Sequence, residues 1–378
     1  MQINLKNTPE QIELIAAMGS KNTSVSREAL EAFAAFLGPV IKEVLKTAGT
    51  ASRVYTDVPF LEDSDPTIPL DLFYNEGAGY VSVWSQTQAG GLPSSQTEGI
   101  KELKFGTYEL HSAVSWMKKY ARKHRLDVIS KSIERMLQEV LVKQELNAWA
   151  VLLKALAEAS TTTINGGALK HGVAAGTANT LLLQDFNNLM IRAKRINESF
   201  SGNTPVQPYS NGITDLYVSP EVKGMIRAFS YNPMRTDSAV ANTNSQAIPD
   251  SVRAEAYNSG GMQSIFGINF IELIELGNGQ KYNTLFNRFA AASPSTFPGT
   301  NAGVWQASDE IAVGIDASRK TILRPVMTDG DTGSEFNVMP DTQFDVFGTR
   351  ANVRQGVFGG LTEGRLIVDS RPILGISI

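Results

Sequence analysis

The sequence predicts an α+β protein, and three features carry that prediction. Residues 127–160 contain no Gly or Pro and repeat apolar side chains at three- and four-residue steps, which is typical of one long helix. Two strand-like stretches, 70–88 and 100–120, flank a polar tip rich in Gly, Ser and Pro. Shorter strand and helix patterns alternate through the second half of the chain, so helices and sheets are both expected there.

The first region, residues 1–49, is predicted to be a helical arm. Helices are expected over 8–18 and 26–47, and Pro39 should kink or split the second one near Phe36. The arm has apolar faces but too little bulk for a core of its own. It must therefore pack either on the main body or on a neighbouring subunit.

Residues 50–120 are predicted to form a linker and an extended β-hairpin. The tip spans 89–99, and its turn-forming and apolar residues are Gly90, Gly91, Leu92, Pro93 and Gly99. No third strand is near in sequence, and an isolated hairpin in water is marginally stable. A hairpin of this length needs a partner surface, which indicates assembly.

Residues 121–183 are predicted to hold the long helix, here called the spine helix. At about 1.5 Å per residue it would span roughly 50 Å, and its many charged side chains argue against a membrane span. Its apolar stripe, taken as the helix core, consists of Ile129, Ile133, Met136, Val140, Trp149 and Leu153.

A basic run precedes the spine helix. It comprises Lys118, Lys119, Arg122, Lys123 and Arg125. Two interpretations stay open: a solvated helix start whose cations pair with Asp or Glu, or a surface that contacts nucleic acid or an acidic loop of a neighbour.

The rest of the chain is read as two regions. Residues 184–339 contain a helix after 183, a buried strand ending at Val218, a helix capped by Ser219-Pro220, and further strands. In residues 340–378 we expect a strand over 344–354, a glycine-rich turn over 355–364 and a strand over 365–373.

Composition excludes several classes of function. The chain has 378 residues, a formal net charge of −4 and no cysteine. Disulfides, thiolate catalysis and Cys-type zinc sites are thus excluded, and bulk charge does not favour nucleic-acid binding. The first residues lack a signal-peptide core, so we expect a soluble protein made inside the cell, with no membrane partner.

Motifs of enzyme chemistry are missing from the sequence. The three histidines, His111, His124 and His171, have no metal-ligand spacing. There is no Gly-x-Ser-x-Gly or phosphate-binding loop, and 329–335 is better read as an acidic turn than as a calcium loop. We predict no catalytic residue, metal or cofactor, and hence no enzyme.

The order of parts resembles the major capsid proteins of tailed bacteriophages with the Hong Kong 97-type fold. Residues 215–223 (DLYVSPEVK) look like the strand and helix of that family's axial domain. Residues 344–356 (FDVFGTRANVRQG) resemble its closing strands. The resemblance covers nearly the whole chain in organisation.

The resemblance implies a set of roles for the regions. Residues 1–49 would grip a neighbour, and 69–120 would be the extended loop that lies over an adjacent subunit. Residues 121–183 would form the spine of the peripheral domain, and 184–339 would form the α/β axial domain. Residues 340–378 would be strands that return to the peripheral domain. The hairpin tip lacks the lysine that some members crosslink, so no crosslink is expected.

The resemblance also implies a function. The protein would assemble through pentamers and hexamers into an icosahedral shell around double-stranded DNA, located in the virion capsid and assembled in the host cytoplasm. Partners would be copies of itself, with portal, scaffold or decoration proteins and weak non-specific contact with the packaged DNA. Two alternatives stay open: an encapsulin-type shell that packages a protein cargo, and a hydrolase with an unrecognised site.

Overall fold

A computed structural model describes most of the chain in two compact units. The described residues are 9–47, 49–61, 64, 67–69, 102–123, 125–159, 170–200, 212–228, 264–292, 297–329, 335–340 and 354–378. The first unit combines Met1–Thr67, Lys104–Ala148 and Leu323–Leu366, and the second combines Ile68–Leu103, Trp149–Ile322 and Ile367–Ile378. Each unit therefore draws on three separate parts of the sequence.

The helices and strands follow one another without a repeat. The helices are α1 (Pro9–Met18), α2 (Thr23–Thr47), α3 (Lys118–Arg122), α4 (Leu126–Ala159), α5 (Leu183–Phe200), α6 (Pro220–Ala228) and α7 (Lys281–Ala291), with short 3-10 turns at Ala51–Arg53, Thr300–Ala302 and Ala317–Arg319. The strands are β1 (Thr56–Leu61), β2 (Thr67–Pro69), β3 (Glu102–Lys104), β4 (Tyr108–Met117), β5 (Gly172–Ala174), β6 (Asp215–Val218), β7 (Ser264–Ile265), β8 (Ile268–Glu272), β9 (Ile311–Ile315), β10 (Ile322–Thr328), β11 (Asn337–Pro340), β12 (Arg354–Glu363), β13 (Leu366–Ile367) and β14 (Ile373–Ser377).

The sheet of the first unit is built around β12. All ten residues of β12 pair antiparallel with β4, from Arg354 opposite Met117 to Glu363 opposite Tyr108. Its other edge pairs with β11 and, at Glu363, with β10, which in turn pairs parallel with β1. Both long strands alternate inward and outward side chains, as a sheet with one covered face requires.

The core of the first unit joins α1 and α2 to the start of α4 and to one face of this sheet. Its buried members include Met18, Phe33, Leu37, Ile133 and Val357. Because α1 and α2 close this core, the described part of the arm packs on its own chain. Whether 1–49 also grips a neighbour, as the resemblance implies, stays a prediction.

The second unit contains a six-stranded mixed sheet in the order β5-β14-β9-β6-β8-β7. β14 pairs parallel with β5 and antiparallel with β9, and β6 pairs parallel with β8. α5 and α6 supply apolar side chains such as Leu189 and Ile226 to the core on this sheet. Ser219 caps α6 as its sequence predicts, since its Oγ accepts a hydrogen bond from the Val222 N–H at 3.1 Å.

Helix α2 differs from its prediction. It runs through Pro39 as one helix of 25 residues, so the predicted split near Phe36 is wrong. Proline removes one backbone hydrogen bond. Burial of Leu37 and Ile41, on either side of Pro39, holds both halves against the same core.

The predicted turn over 355–364 is wrong as well, because residues 355–363 lie in β12. Its glycines suggested a turn, but they serve close packing inside a strand. A Cβ built on Gly359 would lie 2.2 Å from Cε1 of Phe336, and one on Gly356 would lie 2.6 Å from the Val114 carbonyl oxygen. The predicted strand over 344–354 falls, apart from its last residue, outside the described residues.

The two compact units divide the chain at other positions than the predicted regions, whose peripheral and axial roles stay predictions. Residues 323–340, expected in the axial domain, belong to the first unit, whereas β14, expected to return to the peripheral domain, lies inside the sheet of the second unit. These strands pair with partners far away in sequence, which local patterns do not reveal.

Candidate assembly elements and the buried charge cluster

The segment predicted to be the extended loop begins and ends at paired strands. β2 and β3 form a two-stranded sheet of their own, so the chain leaves at Pro69 and returns at Glu102 beside its point of departure. The tip residues Gly90, Gly91, Leu92, Pro93 and Gly99 lie outside the described residues. Beyond the base, one edge of β4 is paired along its whole length with β12 of the same chain.

Two members of the basic run, the buried Lys118 and the exposed Arg122, bond to other parts of the chain. Lys118 is buried, and its Nζ donates a hydrogen bond to Ser26 Oγ at 3.1 Å. Burial, and secondarily the charge of Arg122, lowers the pKa of Lys118. Arg122 Nε donates to the Gly19 carbonyl oxygen at 3.0 Å. These two cations therefore fix the connection between α1 and α2, which is a structural role.

The other three members are exposed. Arg125 pairs with Asp127, with Nε 3.2 Å from Oδ1. Lys119 Nζ lies 5.2 Å from the centroid of the Tyr120 ring, and Lys123 is exposed at the end of α3. Lys119 and Lys123 thus lie at the surface with no carboxylate partner among the described residues; His124 lies outside that part of the chain.

A buried polar contact reinforces the anchoring of the arm. Ser26 Oγ donates to the Met18 carbonyl oxygen at 2.8 Å, and Gln355 Nε2 donates to the same carbonyl at 2.7 Å and to Ser26 Oγ at 2.8 Å. Gln355 lies on the covered face of β12. The start of α2, the end of α1 and β12 are therefore fixed by the same side chains.

A dense group of charged and polar side chains in the described chain surrounds Glu363. This side chain is fully buried at the end of β12. Arg324 Nε lies 2.7 Å from Oε2, and an Arg365 terminal nitrogen lies 3.2 Å from both oxygens. The Tyr108 hydroxyl donates at 2.6 Å and Gln144 Nε2 at 3.1 Å. Glu363 thus ties β4, β10 and α4 to β12.

The cluster continues outward through its arginines. Arg324 also reaches Asp57 at 3.1 Å and Glu335 at 3.4 Å. Burial alone would lower the pKa of Arg324, but the carboxylates of Glu363 and Asp57 outweigh it and raise the pKa. The guanidinium of Arg365 lies 4.7 Å from the centroid of the Tyr55 ring, a cation–π distance.

The Glu363 carboxylate and the arginines beside it stay charged at neutral pH. Burial raises the pKa of Glu363, yet Arg365 and Arg324 outweigh it and leave the pKa below its usual range. Burial, with the charge of Glu363, raises the pKa of Tyr108 to about 12. The phenol therefore remains a hydrogen-bond donor at neutral pH, and the arrangement acts as a structural clamp.

The six residues of the predicted spine stripe are all buried, but they serve two cores. Ile129, Ile133, Met136 and Val140 belong to the core of the first unit. Trp149 and Leu153 belong to the second unit, where the Trp149 ring lies 5.0 Å from Tyr217 and 5.7 Å from Tyr282 between centroids.

The described histidines take structural positions. His111 is exposed on β4, 2.8 Å from Glu109, and His171 is buried with Nδ1 2.7 Å from the Ile373 carbonyl oxygen. Within the described ranges, no group of three or more metal-binding side chains comes together. Nor is any helix among them apolar and long enough to span a bilayer.

Sequence reasoning missed the charge cluster and the Gln355 contact, although a signal for both exists. Alternate residues of β12, from Gln355 through Val357 and Leu361 to Glu363, point to its covered face. A carboxylate that falls on the apolar face of a strand needs a cationic partner. The glycine-rich composition of this stretch concealed the period of two.

Large apolar side chains remain exposed on each unit. In the second unit they are Ile191, Phe266, Ile274 and Val304; in the first they are Ile12, Val25, Phe36, Leu61, Met117, Val142 and Met339. Scattered exposed apolar residues are normal on a protein surface, so these positions need a further observation before they indicate an interface.

Comparison with known proteins gives matches among solved structures alone. No protein-family model matches the sequence, and no curated protein matches it. The capsid of cyanophage Pam1 is similar, with a TM-score of 0.46 and 14% identity over 86% of this chain and 88% of that chain. The capsid of cyanophage P-SCSP1u gives 0.44 and 14% over 85% of each chain. An encapsulin complex from Synechococcus elongatus gives 0.37 and 9%, over 73% of this chain and 75% of that chain. The chain is thus similar to phage capsid structures and, at a lower score, to an encapsulin.

Proposed function

We propose that this chain is the major capsid protein of a tailed phage, a structural subunit without catalysis. It assembles through pentamers and hexamers into an icosahedral shell around double-stranded DNA. Its place is the virion capsid, after assembly in the host cytoplasm. The partners are other copies of the chain, with portal, scaffold or decoration proteins completing the particle.

The observation that carries the proposal is the paired base of the extended loop. The 32 residues from 70 to 101 leave and return between β2 and β3. Loops longer than about 15 residues are usually functional or linker segments. A loop that departs from a paired base suits contact with another subunit, because it adds buried area without enlarging the subunit's own core.

A further argument comes from symmetry. Shell subunits meet through unlike surfaces that close by rotation into rings. Two compact units, each built from three parts of the sequence, give every subunit several distinct surfaces. The arm is fixed to its own subunit by Lys118 and Arg122, and inter-subunit contact is proposed for the loop and for exposed apolar side chains, including Ile12, Val25 and Phe36 on the arm.

The test is particle formation by the purified chain. Wild type should give megadalton shells by light scattering and electron microscopy, and deletion of residues 90–99 should abolish them. As a matched control, the same ten residues are replaced by a Gly/Ser segment of equal length, which separates loss of side chains from loss of length. A wild-type chain that stays subunit-sized at every concentration contradicts the proposal.

Particle content separates the capsid from the encapsulin-type alternative. Particles purified from the producing cell should contain double-stranded DNA. A protein cargo in place of DNA would favour the encapsulin-type shell.

We also propose that the exposed lysines of the basic run make weak, non-specific contact with the packaged DNA. Lys119 and Lys123 suit this role since they are exposed, and the net charge of −4 keeps the contact weak. Charge reversal of both to Glu should reduce DNA retention, while reversal of Lys131 and Lys143, exposed on α4, serves as control. Equal DNA retention in the two double variants would remove this role.

A further inference from the structure

The outer edge of β4 is open in the sheet of the first unit. β4 has ten residues, and all of them pair with β12 along one edge. In an antiparallel pair alternate residues bond to the partner strand, so the other half of the residues direct their N–H and C=O groups to the opposite edge. No strand within the described ranges pairs with that edge. It therefore presents backbone donors and acceptors to a further strand.

The apolar core beneath this edge is incompletely covered. Leu110 lies opposite Leu361, and Val114 lies opposite Val357. In both pairs the β12 member is at most 2% exposed, whereas the β4 member is only partly buried. The side chains of such a pair lie side by side on one face of the sheet, so the difference arises on the outer side of β4. A strand added there would cover the exposed parts of Leu110 and Val114.

Other edges of this sheet carry features that discourage pairing between chains. β1, at the other end of the sheet, contains Pro59, and the four-residue β11 ends at Pro340. Proline and short length are two of the ways in which proteins protect an edge strand, and lysine is a third. β4 is ten residues long, has no Pro, Lys or Arg, and has Glu109 as its single acidic residue. An unprotected edge of this length indicates an interaction surface.

The partner that fits this edge best is β4 of a second copy of the chain. The other described strands at the ends of the two six-stranded sheets are β1 with six residues, β11 with four, β5 with three and β7 with two. All of them are too short to pair along the whole of β4. Two β4 strands match each other in length, and their antiparallel pairing is symmetric about a twofold axis. One kind of edge then supplies both sides of the contact.

The sequence of β4 is compatible with pairing to itself. A twofold axis perpendicular to the sheet keeps the core-facing side chains of both copies on one face, which requires a register centred on a single residue. A register centred on Ala113 places Leu110 of one copy opposite Trp116 of the other, and Glu109 opposite Met117. At about 3.4 Å per residue the two Glu109 side chains are then roughly 27 Å apart along the strands. At that distance their mutual repulsion is screened by salt.

We propose that the open edge of β4 is a contact between two copies of this chain, in which each β4 pairs antiparallel with the other and the sheets of the two first units become continuous. Rings of five or six subunits need a further contact that joins one ring to the next, and a twofold contact does this. The inference rests on the proposed shell function and assigns the contact between its rings.

A charge swap at Ala113 tests this contact. Ala113 is exposed on β4, so Ala113→Lys and Ala113→Glu leave the core intact, and urea unfolding of the unassembled variants should match wild type. Between identical strands each variant brings like charges together, and its threshold concentration for particle formation should rise by about tenfold or more. An equimolar mixture of the two variants pairs Lys with Glu and should return the threshold to within about threefold of wild type.

The matched controls are Gln138→Lys and Gln138→Glu, because Gln138 is exposed on α4 of the same unit. They should assemble at the wild-type threshold, both alone and mixed. Thresholds equal to wild type for both Ala113 variants would overturn the inference. Raised thresholds that the mixture does not lower would overturn it as well, because they would indicate a different partner for the edge, such as residues 70–101 of a neighbour.

Photo-crosslinking identifies the partner of the edge directly. With p-benzoylphenylalanine at position 113, irradiated assemblies should yield peptides in which β4 is joined to β4 of another copy, and crosslinks to other segments alone would contradict the proposal. If wild type forms no particles, the proposed shell function fails, and the same charge swap is then read from dimerisation of the free chain by sedimentation. If wild type assembles and position 113 shows neither effect, the twofold contact alone is refuted.

Discussion

Replacing Glu363 with glutamine removes one negative charge from the buried cluster and keeps the size of the side chain. Glu363 is fully buried and accepts hydrogen bonds from Arg324, Arg365, Tyr108 and Gln144. An amide has one acceptor oxygen and a donor nitrogen, so at least one of these donors loses its partner and two guanidinium groups lose their central counter-charge.

The expected loss in the free energy of unfolding is about 3 kcal/mol, the lower end of the range for breaking a buried ion pair. The lower end applies because Arg324 keeps Asp57 at 3.1 Å and Glu335 at 3.4 Å. Urea unfolding of the unassembled chain, followed by tryptophan fluorescence, measures this difference. Glu109→Gln on the exposed face of β4 is the control, with an expected change below about 0.5 kcal/mol.

The same substitution should also change how the free energy of unfolding depends on pH. The two arginines hold the pKa of Glu363 below its usual range, so the carboxylate contributes stability above pH of about 4.3 and loses it as the pH falls through the folded-state pKa. Glutamine does not titrate, hence the difference between wild type and Glu363→Gln should narrow in acid. A difference below about 1 kcal/mol at neutral pH, or one that is constant down to strong acid, would refute the clamp.

Three further predictions concern packing and titration. Gly359→Ala should destabilise the chain by about 1–3 kcal/mol because its Cβ would overlap the Phe336 ring. Gly224→Ala, with open space around it in α6, should instead stabilise the chain by about 0.5–1 kcal/mol. Urea unfolding of the two variants measures both changes. Burial lowers the pKa of His171 despite its bond to a carbonyl oxygen, so stability should fall below pH of about 6.5, where the unfolded chain gains a proton, and His171→Gln should flatten that slope in urea titrations. The phenol of Tyr108, with a pKa of about 12, should not ionise near the ordinary value of about 10, and the ultraviolet difference spectrum between wild type and Tyr108→Phe measures this.

Local patterns in the sequence were sufficient for the helices and most short strands. The spine helix is predictable from its uninterrupted apolar period. The observed helix, α4, extends from Leu126 to Ala159, within one residue of the predicted stretch at each end. Ser219-Pro220 carries its own cap signal, and α6 begins there. These features depend on neighbours within four residues, which a single sequence contains.

Pairing over long distances was not predictable in the same way. β4 and β12 are separated by more than two hundred residues, and neither strand encodes the identity of the other. Glu363 and its direct partners come from four parts of the chain, so these side chains look like ordinary polar and charged residues until the fold brings them together. Lys118 and Arg122 show the same effect: in sequence they belong to a basic run, but in the fold they anchor α1 and α2.

The position of β14 has a consequence for biosynthesis. Residues 373–377 lie between β5 and β9, so the sheet keeps a gap until these residues have left the ribosome. β5, β6, β8 and β9 are all synthesised earlier, and β5 and β9 lack their shared partner strand until then. Emergence of residues 373–377 from the ribosome is thus the event that closes this sheet, and a nascent chain that still lacks them cannot present the finished surface of the second unit to sister molecules.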